Sequence, residues 1–203
     1  AVHSTKYRKN LIKYILNPEK TEQLKLVSDF GMRNYLVFPS YEEMVDMYEA
    51  NLTNNDRLYD SRNDRQQVKQ TKIHAHHLIQ SFSPDDKLTP EKINRIGYET
   101  IKELTGGNFR FIVTTHTDRN HVHNHILINS VDLNSDKKLK WDYAQERNLR
   151  MISDRLAKEA GATIIQPNRY SHEKFETYRK TNHKFELKQR LYFLLEHSKN
   201  FED

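Results

Sequence analysis

The chain has 203 residues, a formal charge of +5, 35% hydrophobic and 30% charged residues, and no cysteine. That length suits one α/β domain with a real core, or a domain plus an appendage, and its 11 tyrosines, 9 phenylalanines and one tryptophan argue against global disorder. The missing cysteines exclude disulfides, thiolate-bound zinc and thiol catalysis, while the mild basic excess suits a polyanionic partner without requiring one.

No apolar run approaches the ~18 residues of a membrane span, and the opening "AVHSTKYRKN" has no signal-peptide core, so a soluble, cytoplasmic protein without membrane insertion is expected. "KYRKNLIKYILN" predicts a short helix over 6–17, with Leu11, Ile12, Ile15 and Leu16 as its apolar stripe and Pro18 as its stop. "SYEEMVDMYEANL" opens with Ser40 and has Glu43 three residues on, a capping box that predicts a second helix. Residues 53–70 are polar and rich in turn formers, and read as a loop or insertion. "TKIHAHHLIQSF" alternates like a strand. Thr89, Pro90 and Gly106 bracket a helix as N-cap, first residue and C-cap. "NFRFIVTTH" and "HVHNHILINSVD" read as adjacent strands, "DYAQERNLRMISDRLAKEAG" as a helix ending at Gly161, and "ATII" as a short strand. This order predicts an α+β fold, a single largely antiparallel sheet flanked by helices, over residues 1–166. Residues 167–203 read as a helical C-terminal extension.

The stretch "THTDRNHVHNHILIN" concentrates His116, His121, His123 and His125 near Asp118. On a strand, residues two apart share a face, so His121, His123 and His125 point one way, and Val122, Asn124 and Ile126 the other. A four-residue hairpin loop would pair His116 with His121 and leave His125 about 13 Å along the strand. A six-residue connection, 117–122, instead sets His116 opposite His123, with side chains roughly 5 Å apart and His125 about 7–8 Å away on the diagonal. Only that register lets three imidazoles share an ion about 2.1 Å from each nitrogen. It puts His121 in the loop and Asp118 beside the site, as outer hydrogen-bond partners. Three histidines leave coordination positions open, as in catalytic sites. Three imidazoles suit zinc, manganese, nickel or cobalt.

The spacing H-x-D-x-x-x-x-H-x-H, on His116, Asp118, His123 and His125 and followed by Asn129, resembles the third motif of relaxases. These are mobilization nucleases of conjugative plasmids and transposons, in the histidine–hydrophobe–histidine endonuclease superfamily, and the chain most resembles their MOBP branch. "NLIKYILNPEKTEQLKLVS" resembles their first motif, a helix with the nucleophilic tyrosine followed by a Lys-Thr turn, and the match falls on Tyr14, with Tyr7 as the fallback. "HHLIQSF" resembles the second motif and places Ser81 near DNA. The resemblance covers residues ~5–165. It departs from the pattern at Asn124, where the family often has a hydrophobe, and His121-Val122-His123 offers a second reading shifted by two residues.

The resemblance implies nicking of one DNA strand at an origin of transfer, with magnesium or manganese as the favoured cofactor. A tyrosine hydroxyl ionises near pH 10 and needs help to attack an anionic phosphodiester, which a cation on the phosphate oxygens supplies. Asp118 would orient His116 or take the phenolic proton, and Asn129 would support the site. Expected DNA contacts are Ser81, Arg62, Arg65, Arg119 and Lys138, although "DKKLK" also reads as a solvated hairpin turn. Expected partners are single-stranded or hairpin origin DNA and conjugation accessory and coupling proteins. The alternative is a rolling-circle replication initiator or single-strand transposase, whose tyrosine follows the histidines, as Tyr170 or Tyr178 would here.

Overall fold

A computed structural model describes residues 2–32, 40–62 and 73–164. The helical extension expected over 167–203, and Arg65, lie outside the described residues. The elements in chain order are β1 (Val2–Thr5), α1 (Arg8–Ile15), β2 (Val27–Phe30), α2 (Tyr41–Arg62), β3 (Ala75–Ser81), α3 (Pro90–Leu104), β4 (Phe109–His116), β5 (His123–Asp132) and α4 (Tyr143–Glu159). The strands form one five-stranded sheet in the order β1-β3-β5-β4-β2, and every neighbouring pair is antiparallel. The predicted α+β class holds.

Alternation along the strands sorts side chains to two faces. Ala75, Ile112 and Leu127 pack against Ile12, Ile15 and Leu16 of the first helix segment and Met44, Val45, Tyr48 and Leu52 of α2. On the opposite face Leu78, Phe111, Val113, Ile126 and Ile128 meet Ile101 of α3, with Trp141 and Leu149 packed alongside. The sheet is therefore covered on both sides, and β5, its central strand, is buried along its whole length.

Local chemistry sets the helix ends. At the Ser40 cap the Glu43 amide donates to Ser40 Oγ at 3.3 Å and that hydroxyl donates to Glu43 Oε2 at 3.0 Å, so the return contact joins the two side chains. The Lys92 amide donates to the Thr89 side chain, and the Gln145 amide to Asp142 Oδ1 at 2.9 Å. After α3, Gly106 takes φ +59° and the Gly107 amide returns to Lys102 O at 2.9 Å, a Schellman-type stop.

The structure differs from the sequence expectation in four places. The strands β1 and β2 were not expected. The helix α2 runs on to Arg62, through residues expected to form a loop. Residues 162–164 form no strand. The α2 continuation has a physical cause. Leu52, Asn55, Asp56 and Tyr59 fall on one helical face and are buried, and the polar members are satisfied there. Asn55 Nδ2 donates to Asp132 O at 2.9 Å and its Oδ1 accepts from Arg110 at 2.8 Å.

Candidate active site

The hairpin of β4 and β5 has the longer connection. His116 pairs with His123 and Thr114 with His125, so residues 117–122 form the loop. This register places His116 and His125 rings 4.4 Å apart and His123 and His125 rings 4.9 Å apart, centroid to centroid. The shifted reading through His121 is set aside, because His121 is in the loop. A nitrogen from each of His116, His123 and His125 lies within 4.8 Å of the others, and all three side chains are buried. Nitrogens sharing one ion about 2.1 Å away are separated by no more than about 4.2 Å, so after small ring rotations these three could hold one ion.

Hydrogen bonds to backbone carbonyls fix which nitrogen of His116 and of His123 keeps its lone pair. His116 Nε2 donates to Ile15 O at 2.9 Å, since a carbonyl only accepts. His123 Nδ1 likewise donates to His121 O at 3.2 Å. His125 Nδ1 meets His77 Nε2 at 2.9 Å, and His125 Nε2 is buried with no hydrogen-bond partner. An orphaned buried imidazole nitrogen beside two others is the pattern of a ligand set. Burial, then the proximity of His116, His77 and His123, pushes His125 down to about 3. Burial is also the main reason His116 lies below the ordinary histidine value, and burial followed by His3 takes His77 to about 4. At neutral pH these three rings are uncharged, as metal ligands and their partners require.

The carboxy-terminal end of α1 covers this group. Tyr14 packs edge-on against His125, with centroids 5.2 Å apart, and against His116 at 5.8 Å. It is 46% exposed, so the ring is seated on the histidines while a polymer can still reach it. Tyr7, the fallback, is 76% exposed and lies before α1 starts. Lys20 Nζ lies 5.1 Å from the centre of the Tyr14 ring and 3.2 Å from Asp118 Oδ2. The loop is tied to the same turn, with the Thr117 amide donating to Lys20 O at 3.0 Å.

Several expected roles change with the geometry. Asp118 pairs with Lys20, and His116 uses the Ile15 carbonyl where an aspartate bond was expected. Burial works against the Asp118 charge, but the Lys20 ammonium outweighs it and holds the carboxyl below its ordinary range. Asn129 stands four residues from His125 and accepts from Arg8 at 2.9 Å, so it supports α1 and touches none of the three imidazoles. His121 acts through its carbonyl. Ser81 pairs with His123 in register and is exposed, as is Arg119 in the 117–122 loop, so both lie at the histidine end of the sheet. Arg62 pairs with Asp136 at 2.9 Å, and Lys138 lies over the Tyr59 ring. Asp132 is about 23 Å along β5 from His125, so the structure does not bring Arg62 or Lys138 to the site. "DKKLK" is a hairpin return, with Lys138 bridging to Val131.

Sequence reasoning missed three contributors: Lys20, His77 and Arg8. Lys20 is in the Lys-Thr turn that drew attention only as part of a motif. His77 belongs to a histidine cluster that the fold disperses, since His76 stacks on Trp141 across the sheet and His74 bonds Asp56 at 2.8 Å. Arg8 is 4% exposed and binds Glu49, Thr53, Asp56 and Asn129.

An antiparallel sheet that gathers three imidazoles beneath a helix-borne tyrosine has the framework the motifs implied, that of a relaxase-type nuclease domain. Residues 14–162 match the family described as "Relaxase: MobA/VirD2-like, nuclease domain", and the chain belongs to this family. It is similar to the group II intron-interrupted relaxase LtrB of Lactococcus lactis subsp. cremoris, 37% identical over an alignment 217 positions long, gaps included, that spans 96% of this chain and 38% of that protein. It is also similar to Protein rlx of Staphylococcus aureus, 40% identical over 98 residues, or 48% of this chain and 30% of that one. The chain thus spans less than two fifths of these relatives' length. No described helix is long and apolar enough to cross a membrane.

Proposed function

We propose that the chain is the catalytic part of a DNA relaxase that nicks one strand at an origin of transfer and begins conjugative mobilization. The observation that carries this reading is the Tyr14 ring resting on His116 and His125. The Tyr14 oxygen attacks the scissile phosphorus. One O–P bond forms, the P–O3′ bond breaks, the phenolic proton leaves and the 3′ oxygen gains one. The 5′ end stays on the protein as a phosphotyrosyl ester. One phosphodiester replaces another, so the step is close to isoenergetic and can run backwards to rejoin the strand.

His116, His123 and His125 would hold a divalent cation, magnesium or manganese, which would supply Lewis-acid chemistry to the scissile phosphate. Lys20 provides a second positive charge beside the phenol, and Asp118 keeps that ammonium in place. Ser81 and Arg119 contact the strand next to the cleaved bond, while Arg62 and Lys138 are available only to more distant nucleotides. Origin DNA in single-stranded or hairpin form is the substrate, and accessory and coupling proteins are the partners, in a bacterial cytoplasm.

The test is incubation of the protein with Mn2+ and single-stranded DNA from its own transfer origin, followed by denaturing electrophoresis. The wild type gives a protein–DNA adduct of retarded mobility and Tyr14→Phe gives none. Undiminished adduct from Tyr14→Phe would move the nucleophile to another tyrosine and reopen the replication-initiator alternative.

A further inference from the structure

We propose that His77 is a positioning residue that locks His125 in the one tautomer able to bind the cation. This rests on the metal site of the preceding reading and adds a residue to it. The cross-strand register explains the contact. Ile79 is the partner of His125 and His77 that of Leu127, so His77 reaches His125 on the diagonal between β3 and β5. Alternation places both on the face covered by α1. The rings lie nearly parallel, with centroids 5.1 Å apart and planes 20° apart, and Nε2 of His77 is 2.9 Å from Nδ1 of His125.

One proton occupies that bond, and its side decides the chemistry. If His125 Nδ1 carries it, His125 Nε2 keeps a lone pair directed toward His116 and His123. If His77 donates instead, the neutral His125 ring must carry its hydrogen on Nε2, the atom that is buried without a partner, and the third ligand is lost. His116 and His123 avoid this ambiguity because backbone carbonyls hold their outer nitrogens. His125 has no carbonyl there, and His77 takes over that job as an acceptor. Its place in the fold supports the role, since His3 of the edge strand β1 pairs with it and its ring lies 6.4 Å from the His77 ring.

The test uses Mn2+ alone, without DNA. Titration calorimetry compares wild type, His77→Phe, His77→Gln and His125→Ala, each first shown to be folded by metal-free thermal melting. His77→Phe keeps the bulk but removes the acceptor and is expected to bind Mn2+ about 10- to 100-fold more weakly. Glutamine reaches the same point with an amide oxygen, so His77→Gln is expected to stay within a few fold of wild type. Long-range 1H–15N NMR on metal-free wild type is expected to show His125 protonated at Nδ1. Wild-type affinity in folded His77→Phe, or an Nε2-protonated His125 in the wild type, overturns the assignment while leaving the metal site intact. If the wild type binds no Mn2+, or His125→Ala binds it equally well, the metal site itself fails and His77 falls with it.

Discussion

Arg8 offers the sharpest test of how the tyrosine helix is held. Its guanidinium makes five hydrogen bonds: two to Glu49 at 3.1 Å and one each to Asp56, Asn129 and Thr53 at 2.9 Å. These tie the start of α1 to α2 and to β5, and Tyr14 stands six residues on, about 9 Å along the same helix. Arg8→Met keeps most of the volume and removes every donor. Asp56 is then left with His74 and a 3.4 Å bond from Asn129 Nδ2, its carboxylate only 6% exposed, and Asn129 Oδ1 loses its Arg8 donor. Removing one member of a buried ion pair costs about 3–5 kcal/mol. For a chain of this size that corresponds to a melting point lowered by about 6–20 °C. Burial opposes the Asp56 charge, but His74 and Arg8 outweigh it and hold the carboxyl below its ordinary range. The Asp56–Arg8 contribution is therefore present above the unfolded carboxyl pKa and is lost as pH falls through the folded one. Urea denaturation followed by far-UV circular dichroism should show a large loss at pH 7 that persists down to about pH 4 and shrinks only below it, with Asp56→Asn in the Arg8→Met background recovering part of it. A loss below about 1 kcal/mol in a normally folded Arg8→Met protein would refute the reasoning, because a buried carboxylate cannot lose its main cation so cheaply.

Other consequences can be measured separately. Lys20→Met should lower the single-turnover nicking rate at least about 10-fold with Mn2+ affinity unchanged, because it removes a preorganised cation from the phenol. Asp118→Asn should act in the same direction but less, and unchanged rates in both would remove Lys20 from the mechanism. Gly97→Ala should destabilise by about 1–3 kcal/mol through overpacking, since a Cβ there would lie 2.5 Å from Asn124 Nδ2 and 3.0 Å from Val113 Cγ1. A melting point equal to or above wild type would contradict that, as alanine's helix propensity alone favours the variant. His125, at about 3, has a folded value below that of the unfolded chain. Without metal, acidification from about pH 6.5 therefore protonates the unfolded state first, and this ring alone costs stability at about 1.4 kcal/mol per pH unit. Urea titrations in chelator should show a steeper fall between pH 6.5 and 5 for wild type than for His125→Asn, and parallel curves would count against the buried neutral imidazole.

Where the residue pattern had a period, the sequence was readable. The histidines two apart on β5, with His116 at the end of β4, allowed only one register for a shared ion, and that register is the one the sheet adopts. The caps at Ser40 and Thr89 located two helix starts because each side chain satisfies a backbone amide locally. By contrast β1 and β2 have four residues each, too short for alternation to show, and they exist because neighbouring strands present free edges. The polar run after Leu52 looked like a loop because its buried face is made of Asn55 and Asp56, whose partners are distant in sequence. Asn124 departs from the family pattern for a reason only the fold supplies. Its amide donates to Gln80 and to Ile93 O at 2.8 Å, and accepts from Thr115 at 2.7 Å, on the face away from the histidines. Long-range hydrogen bonds of this kind, including those of Arg8 and His77, leave no periodic trace.

Mass-spectrometric mapping of the peptide–nucleotide adduct, after reaction with origin DNA and Mn2+ and digestion of both polymers, identifies the residue that attacks the phosphate. The expected product is a 5′-nucleotide attached to the peptide containing Tyr14, at that residue. Attachment at Tyr7 or at a tyrosine following the histidines, or no attachment while the strand is still cut, would contradict it.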